Sequence, residues 1–498
     1  MYLALSALCL CWQGCNGSKA DKAEEETVKK VSVELKNADR SLDYQAALLV
    51  DGDTLTLSND TLVANESNQI AALVINGGKL VLDHCVILKT GDGVMTEAMG
   101  GGHQHGKHPE GRPEGGPKGD RPEGRPEGAP NGERPEGAPE GGPQGPKGER
   151  PEGRPEGGPK GERPEGRPEG GPKGERPEGG PHGGHGGGMG MPPADDNFNF
   201  YGLNSAVVAV GEGSTIELIG CEINTDAEYA NAVFACDGST ILVTDGIKIR
   251  TEKGSSRGLY STYGGSVKAM GAVDISTQGA HCAALATDRG GGYVSVGEPS
   301  TEIQSVLNTA GDGSPCIYST GDISAYNAVG EAKSAQTMVV EGKNFITIEN
   351  CAFTGTAPQH GGIMLYQSTS GDAEEGTSVL NMKNSTIRDN GNTVMLLVTN
   401  THSIVNMENC VLLNAAGEAY TKDNALVACR NCNGEEGGRQ WGKEGSNGGQ
   451  VEINLVNQPL LGTVLANESE SKITITKDKL SNIKGVKTLK GKGKVVLK

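Results

Sequence analysis

One short hydrophobic phrase recurs along most of the chain: two small or apolar residues, a bulky apolar residue, and then a small or polar turn. Eleven copies are present, such as QAALLVDGD and IAALVINGG. Matched on their third apolar residue, the copies align Leu49, Val74, Val208, Phe234, Tyr260, Leu285, Tyr318, Val340, Tyr366, Val398 and Val427. The spacing is 22 to 33 residues, except for one step of 134 residues between Val74 and Val208. Short strands that return at this period are typical of a solenoid.

A second recurring phrase lies between these copies and contains alternating apolar and polar residues around a small corner residue. It occurs as LVLDHCVIL, IELIGCEIN, ILVTDGIKI, ITIENCAFT, LNMKNSTIR and VNMENCVLL. Because a strand rises roughly 3.3 Å per residue, ~25 residues close one triangular coil of three short strands. The sequence therefore predicts an all-β parallel β-helix, in which equivalent residues of successive coils stack about 4.8 Å apart.

A long insert of different composition interrupts the predicted coils. Between about Gly100 and Gly188 the chain consists mainly of Gly, Pro, Glu, Arg and Lys, with a recurring unit of thirteen residues. Such a segment has too few apolar side chains to form a core, which predicts disorder. Collagen is excluded because glycine does not occupy every third position. We expect residues 96–197 to be a loop expelled from one solenoid, with N-terminal coils over 41–95 and the main β-helix with its C-terminal cap over 198–498.

The N-terminus carries a short apolar run, residues 1–14, that ends in a small residue before Cys15. The run is too short to cross a bilayer as a helix. It resembles the end of a bacterial lipoprotein signal, which implies lipidation of Cys15, although Trp12 departs from that pattern and no Lys or Arg precedes the run. An ordinary cleaved secretory signal with a free Cys15 is the alternative. Residues 15–40, rich in Lys, Glu, Asp and Ala, are predicted to form a solvated tether.

Charge narrows the range of partners. The formal net charge is −18 at pH 7. Nucleic acid is disfavoured because phosphate binding needs clustered Lys and Arg, and anionic membrane surfaces are disfavoured for the same reason. The 78 glycines and the aromatic content of 4% suit a fold with many turns and thin stacked strands.

Several phrases resemble consecutive motifs of a known bacterial family. They include RGLYSTYGGSV, GAHCAALATDRGGGYVSV, GSPCIYSTGDI and WGKEGSNGGQVE. The family consists of right-handed parallel β-helix proteins with the pectin-lyase type of fold, and its secreted or surface members are adhesin-like. The resemblance covers about residues 42–490 apart from the insert, and it is most specific over 258–376. It implies fold and location, and it transfers no catalytic residues.

Three tyrosines, Tyr260, Tyr318 and Tyr366, occupy matched positions in the first phrase. An aromatic strip of this kind can stack on sugar rings, which makes the three residues candidates for ligand binding. They also share their alignment with Leu49, Val74, Phe234 and Val340, which favours an inward core ladder as the alternative.

The cysteines suggest structural positions. Four of them share the corner position of the second phrase and are predicted to stack in one column: Cys85, Cys221, Cys351 and Cys410. Cys429 and Cys432 form a lone Cys-x-x-Cys, for which a disulfide and a metal site remain open. No cofactor is expected. Acidic turns offer oxygen ligands for calcium, but none matches the usual calcium loop.

These observations favour a non-catalytic lipoprotein that is exported and displayed at the cell envelope, anchored to the outer membrane by lipid. Its β-helix would be adhesin-like or glycan-binding, with an extracellular glycan or a surface protein as partner. The alternative is a polysaccharide lyase or glycoside hydrolase of the same fold, because such enzymes also occur on β-helices. A structural stalk is the second alternative.

Overall fold

The computed structural model describes residues 28–96, 196–357, 360–368, 373–415, 425–430, 449–459, 466–469, 471–482 and 490–498. Nearly all regular structure in these ranges is strand, and one helix is described, α1 (Asp196–Tyr201). The strands form three long sheets, and most coils contribute one strand to each sheet in turn. The chain is therefore a parallel β-helix solenoid, as the two recurring phrases predict.

The first sheet contains the strands that hold the first phrase. Its strands, in spatial order, are β1 (Lys29–Leu35), β2 (Arg40–Asp51), β5 (Ile70–Ile75), β8 (Val207–Val210), β11 (Val233–Cys236), β14 (Leu259–Thr262), β17 (Leu285–Thr287), β20 (Ile317–Ser319), β23 (Met338–Glu341), β26 (Ile363–Tyr366), β29 (Leu396–Thr399), β32 (Val427–Cys429) and β34 (Ala466–Ser469). All eleven copies of the phrase contribute strands to this sheet, which confirms their equivalence.

The second phrase proves to be two strands, one in each of the other sheets. The second sheet contains β3 (Thr54–Ser58), β6 (Lys79–Asp83), β9 (Thr215–Ile219), β12 (Thr240–Val243), β15 (Ser266–Ala269), β18 (Tyr293–Val296), β21 (Asp322–Tyr326), β24 (Phe345–Glu349), β27 (Thr377–Lys383), β30 (His402–Glu408), β33 (Gln450–Val456), β35 (Lys472–Lys477) and β36 (Lys494–Leu497). The third sheet contains β4 (Thr61–Ala64), β7 (Val86–Lys89), β10 (Glu222–Thr225), β13 (Ile247–Thr251), β16 (Val273–Thr277), β19 (Ser305–Thr309), β22 (Ala328–Ala332), β25 (Ala352–Gly355), β28 (Thr386–Asp389) and β31 (Val411–Leu413).

A residue in the left-handed backbone conformation makes the bend between the second and third sheets. His84, Asn350, Asn384 and Asn409 have φ of 52°, 56°, 48° and 51°, and Gly220 has φ of 59°. Asparagine and glycine adopt this conformation at lower cost than other residues. This explains why the second phrase carries Gly or Asn before its corner residue in most copies.

The four corner cysteines lie in one column inside the solenoid, as predicted. The register that pairs Val86 with Glu222 sets Cys85 beside Cys221, and Ser385 separates Cys351 from Cys410. All four are buried in the core shared by the three sheets. In Cys221, Cys351 and Cys410 the thiol donates to the carbonyl oxygen two residues earlier, at 3.5, 3.3 and 3.4 Å. The column is thus explained by packing and by corner hydrogen bonds.

A second core covers the outer face of the first sheet near its N-terminal end. Strand β1 pairs antiparallel with β2 and buries Leu35, so the predicted tether does not extend through residue 40. Helix α1 packs Phe198, Phe200 and Tyr201 against the same face. The Tyr201 ring stacks on Tyr263 with centroids 5.3 Å apart.

The three sheets continue directly across the insert. Strand β5 pairs with β8, β6 with β9, and β7 with β10, although the insert separates each pair in sequence. Residues 97–195 lie outside the described residues, so the predicted disorder of 96–197 stays a prediction there. The register shows that the coils before and after the insert belong to one solenoid.

Candidate ligand-binding groove

The tyrosines predicted to bind ligand lie on the outer face of the first sheet, not in its interior. Tyr260 and Tyr318 share one column with Ala286 between them. Tyr366 lies in the neighbouring column, opposite Glu341 instead of Val340. The sequence alignment is thus two residues out at Tyr366 and one residue out at five other positions: Val74, Leu285, Val340, Val398 and Val427. The inward-ladder alternative is wrong in direction, because Tyr260 and its column neighbour Phe234 belong to the second core on the outer face and not to the core that the three sheets share.

Two buried carboxylates hold these tyrosines. The Tyr260 hydroxyl donates to Asp288 Oδ2 at 3.0 Å, and the Tyr366 hydroxyl donates to Glu341 Oε2 at 2.8 Å. The Tyr318 hydroxyl also donates to Glu341 and lies 3.0 Å from the Tyr366 hydroxyl. Burial raises the pKa of Tyr318 and of Tyr366 well above the ordinary tyrosine value. Since Tyr260 is fully buried and Tyr366 is 9% exposed, their burial does not support ligand binding, which stays a prediction.

The other predicted site residues are only partly described. Cys429 points into the main core and is fully buried, and burial raises the pKa of its thiol. Cys432 and Cys15 lie outside the described residues, so a disulfide or metal site at Cys429 and lipidation at Cys15 remain predictions. Among the residues that the structure describes, no cluster of three or more His, Cys, Asp or Glu side chains is arranged to hold a metal ion.

An open polar groove of about 540 Å³ lies where the first sheet bends into the second. It crosses successive coils, and its walls come from the first residues of β27, β30 and β33 together with the bends before them. The lining residues are Gln367, Glu375, Gly376, Thr377, Asn400, Thr401, His402, Gly449, Gln450 and Ser471. We call this feature the amide groove, because three of its side chains are carboxamides.

Two of those carboxamides contain atoms that lack a hydrogen-bond partner among the described residues. Gln367 is buried and donates through Nε2 to the carbonyl oxygen of Ala373 at 3.2 Å, but its Oε1 has no hydrogen-bond partner. Neither Nδ2 nor Oδ1 of Asn400 has a partner. Because the terminal torsion of Asn is broad, a modest rotation turns the Asn400 amide toward the groove. The groove-lining residues Gln367 and Asn400 thus contain three buried polar atoms without a partner, which a ligand can satisfy once such a side-chain rotation turns them toward the groove.

The charges around the groove are mainly negative. His402 Nε2 lies 3.5 Å from Glu452 Oε1, two residues from Gln450 along β33. Glu375 contributes a second carboxylate to the wall. An anionic ligand would meet both acids, so the electrostatics disfavour an anion.

A ladder of asparagine side chains runs beside the groove on the outer face of the second sheet. Asn406 Nδ2 donates to Asn381 Oδ1 at 2.8 Å, and Asn454 Nδ2 donates to Asn406 Oδ1 at 2.9 Å. Asn381 Nδ2 extends the row to Thr347 Oγ1 at 3.2 Å. We call Asn381, Asn406 and Asn454 the amide ladder. Sequence reasoning missed it, although Asn recurs at the second position of LNMKN, VNMEN and INLVN.

The fold and site define a parallel β-helix with a solvent-facing amide groove and ladder. A scan against protein-family models, a search of curated proteins and a search of solved structures each found no match. The family resemblance therefore stays a prediction. Within the described parts of the chain, no helix is long and apolar enough to cross a membrane.

Proposed function

We propose that this chain is a non-catalytic, surface-displayed lipoprotein whose β-helix binds an extracellular glycan in the amide groove. The observation that carries the proposal is the set of unpartnered amide atoms of Gln367 and Asn400 in the groove wall. A buried polar group without a partner costs about 1–3 kcal/mol. Water fills such positions in a free protein, and the hydroxyl groups of a sugar can replace it.

The charge of the chain supports the same choice of ligand. A net charge of −18 and the acids at the groove disfavour nucleic acid and other polyanions. A neutral glycan offers many hydroxyl donors and acceptors without a charge penalty. The predicted signal and Cys15 anchor would place the groove at the outer surface of the cell envelope, where glycans of other cells or of a host are accessible.

The first test removes one amide from the groove. Asn400 has φ of 57°, so Asn400→Gly deletes the side chain at a position where glycine is unstrained. Asn384→Gly is the matched control, because Asn384 has φ of 48° and is not among the groove-lining residues. We expect Asn400→Gly to weaken glycan binding about tenfold, which corresponds to roughly 1.4 kcal/mol, and Asn384→Gly to leave it unchanged.

The measurement is a glycan array with the full chain, followed by calorimetry on the glycan that binds. Binding by the wild type that Asn400→Gly weakens selectively would support the proposal. A wild type that binds no glycan, or equal affinities for the two variants and the wild type, would contradict it.

A glycoside hydrolase or lyase is the second candidate, because Glu375 and the His402–Glu452 pair adjoin one groove. Most glycosidases use two carboxylates that flank the scissile bond. Incubation with the bound glycan, with an assay for reducing ends and unsaturated sugars, separates the candidates. Product formation that Glu452→Gln abolishes while binding persists would establish the enzyme. A stalk would show neither binding nor products.

A further inference from the structure

We infer that the amide groove is one end of a longer binding face, on which an extended neutral glycan lies along the solenoid axis against Phe345 and Tyr293. The inference rests on the proposed function and specifies the form of its ligand. It assigns ligand contact to exposed residues of the second sheet, away from the buried tyrosines of the first sheet.

An apolar and aromatic stripe runs along the outer face of the second sheet. The strand register places Tyr293, Asp322, Phe345, Val379 and Ile404 in one column over five successive coils. Phe345 is 44% exposed, and Tyr293, Val379 and Ile404 are half-buried. The Lys268 ammonium lies 5.6 Å from the centroid of the Tyr293 ring. We call Tyr293, Phe345, Val379 and Ile404 the stripe.

The stripe and the amide ladder are neighbouring columns of the same face. Val379 and Asn381 lie two residues apart on β27, as do Ile404 and Asn406 on β30. Side chains two residues apart on a strand point to the same face. A sugar ring can therefore place its C–H face on the stripe while its hydroxyls reach the ladder.

The ladder retains hydrogen-bonding capacity for such a ligand. A carboxamide has two N–H donors and an oxygen with two lone pairs. Asn406 uses one donor toward Asn381 and accepts one hydrogen bond from Asn454. It keeps one donor and one lone pair for a ligand, and this pairing matches a hydroxyl group.

The amide groove is continuous with the outer face of the second sheet. Thr377, His402 and Gln450 line the groove and lie two residues before Val379, Ile404 and Glu452 on the same strands. Five coil steps from Tyr293 to Glu452 span about 24 Å at 4.8 Å each. The column ends in Glu452 and contains Asp322, so both of its ionic side chains are acidic. These acids disfavour an anionic chain, and the free donor and lone pair of the ladder match hydroxyl groups, so the occupant that fits is a long, neutral chain of sugar units.

The other outer faces lack this combination. The second core covers the N-terminal part of the first sheet, through α1 and β1. The third sheet carries charged pairs, such as Arg250 Nη2 with Asp274 Oδ2 at 2.7 Å. Among the described faces, that of the second sheet combines the exposed ring of Phe345 with a row of amides that begins one coil further on, at Asn381.

The test measures affinity against a length series of one neutral oligosaccharide, chosen from the glycans that the wild type binds. We expect affinity to rise with chain length until the glycan spans the stripe. Phe345→Ala should weaken binding of the longer oligosaccharides at least tenfold, and Phe345→Tyr should retain it. Val411→Ala is the matched control, because Val411 is 40% exposed on the third sheet. Tyr293→Ala should affect only oligosaccharides that are long enough to reach its coil.

The outcomes separate this inference from the proposed function. If Asn400→Gly weakens binding but Phe345→Ala and Tyr293→Ala do not, the extended face is wrong and the groove stands. Affinity that is independent of chain length would also overturn the extended face. If the wild type binds no glycan, the proposed function itself is wrong. Circular dichroism of each variant verifies that the coils are intact.

Discussion

At the scale of single residues, a column of threonines lies inside the third sheet. Thr225, Thr251, Thr277 and Thr309 occupy equivalent positions in successive coils. The Thr251 hydroxyl donates to the carbonyl oxygen of Ser256 at 2.7 Å, and the Thr277 hydroxyl donates to that of Cys282 at 2.6 Å. Thr309 makes the same bond to Ser314, so three of the four threonines tie their strands to the backbone that follows, whereas the Thr225 hydroxyl has no partner in the described part of the chain.

Lys89 occupies the same column in the coil before Thr225, where it stands in place of a threonine. It pairs in register with Thr225, is fully buried, and donates through Nζ to the carbonyl oxygens of Glu66 and Gly91. Desolvation by burial lowers the pKa of Lys89 from 10.5 to about 8, although the nearby Asp92 opposes the shift. The folded state therefore holds the charged amine at a cost of about 3 kcal/mol.

Lys89→Thr is expected to stabilise the fold at neutral pH, because threonine suits the column and removes the buried charge. The gain should be below about 3 kcal/mol, since two carbonyl oxygens lose a donor. Between pH 8 and 10.5 folded Lys89 is neutral while the unfolded residue is still charged, so wild-type stability from this group rises with pH. The difference in melting temperature between variant and wild type should shrink across that window. A difference that is constant from pH 7 to 10.5 would contradict the assignment.

At the scale of elements, the bend between the second and third sheets depends on a backbone conformation rather than on a contact. Asn350, Asn384 and Asn409 adopt it in coils of the C-terminal half. Asn409 Nδ2 donates to Asn384 Oδ1 at 2.9 Å, which links two bends. Each bend lets one phrase supply strands to two sheets, so it fixes the triangular section of the coil.

Asn350→Val should lower stability by about 1–2 kcal/mol, because a β-branched residue is strained at φ of 56°. Asn350→Gly should be nearly neutral by the same reasoning. Urea unfolding of both variants measures the contrast. Equal destabilisation by Val and Gly would show that the asparagine side chain, and not φ, matters at this bend.

At the scale of the whole molecule, the solenoid is continuous although the insert divides its sequence. The register on each side of the insert joins all three sheets, so the coil contacts there do not need the intervening residues. Loop closure costs rise slowly with length, which makes such an insertion tolerable.

Deletion of residues 103–185 should leave the β-helix folded. Shortening the connecting loop roughly fourfold lowers its closure cost by about 1 kcal/mol, so the melting temperature should stay the same or rise slightly. Circular dichroism and thermal melting of the deletion variant and the full chain provide the comparison. A variant that aggregates or loses its strand signal would show that the insert supports the coils.

The repeats in the sequence were sufficient to predict the architecture. The eleven phrases and the corner cysteines recur once per coil, and stacking of equivalent residues is the consequence of a regular rise and turn. The hairpin of β1 and β2 was missed because residues 15–40 are rich in charged side chains, which make up 12 of the 26 residues. Val33 and Leu35 nevertheless alternate with polar residues and reach the second core.

Tertiary structure decides which side chains of each strand face the interior of the solenoid and which face outward. Alternation along a strand separates two sets of side chains, but it does not say which set faces the interior when both are apolar. In β14, Leu259 enters the shared core while Tyr260 meets the second core, and the sequence contains no signal that ranks them. The amide groove also depends on tertiary structure, because Gln367, Asn400 and Gln450 come from three different coils. The repeat period and the corner residues are local properties of the chain. The strand register, and the elements that cover each face of a sheet, are set only when the coils pack together.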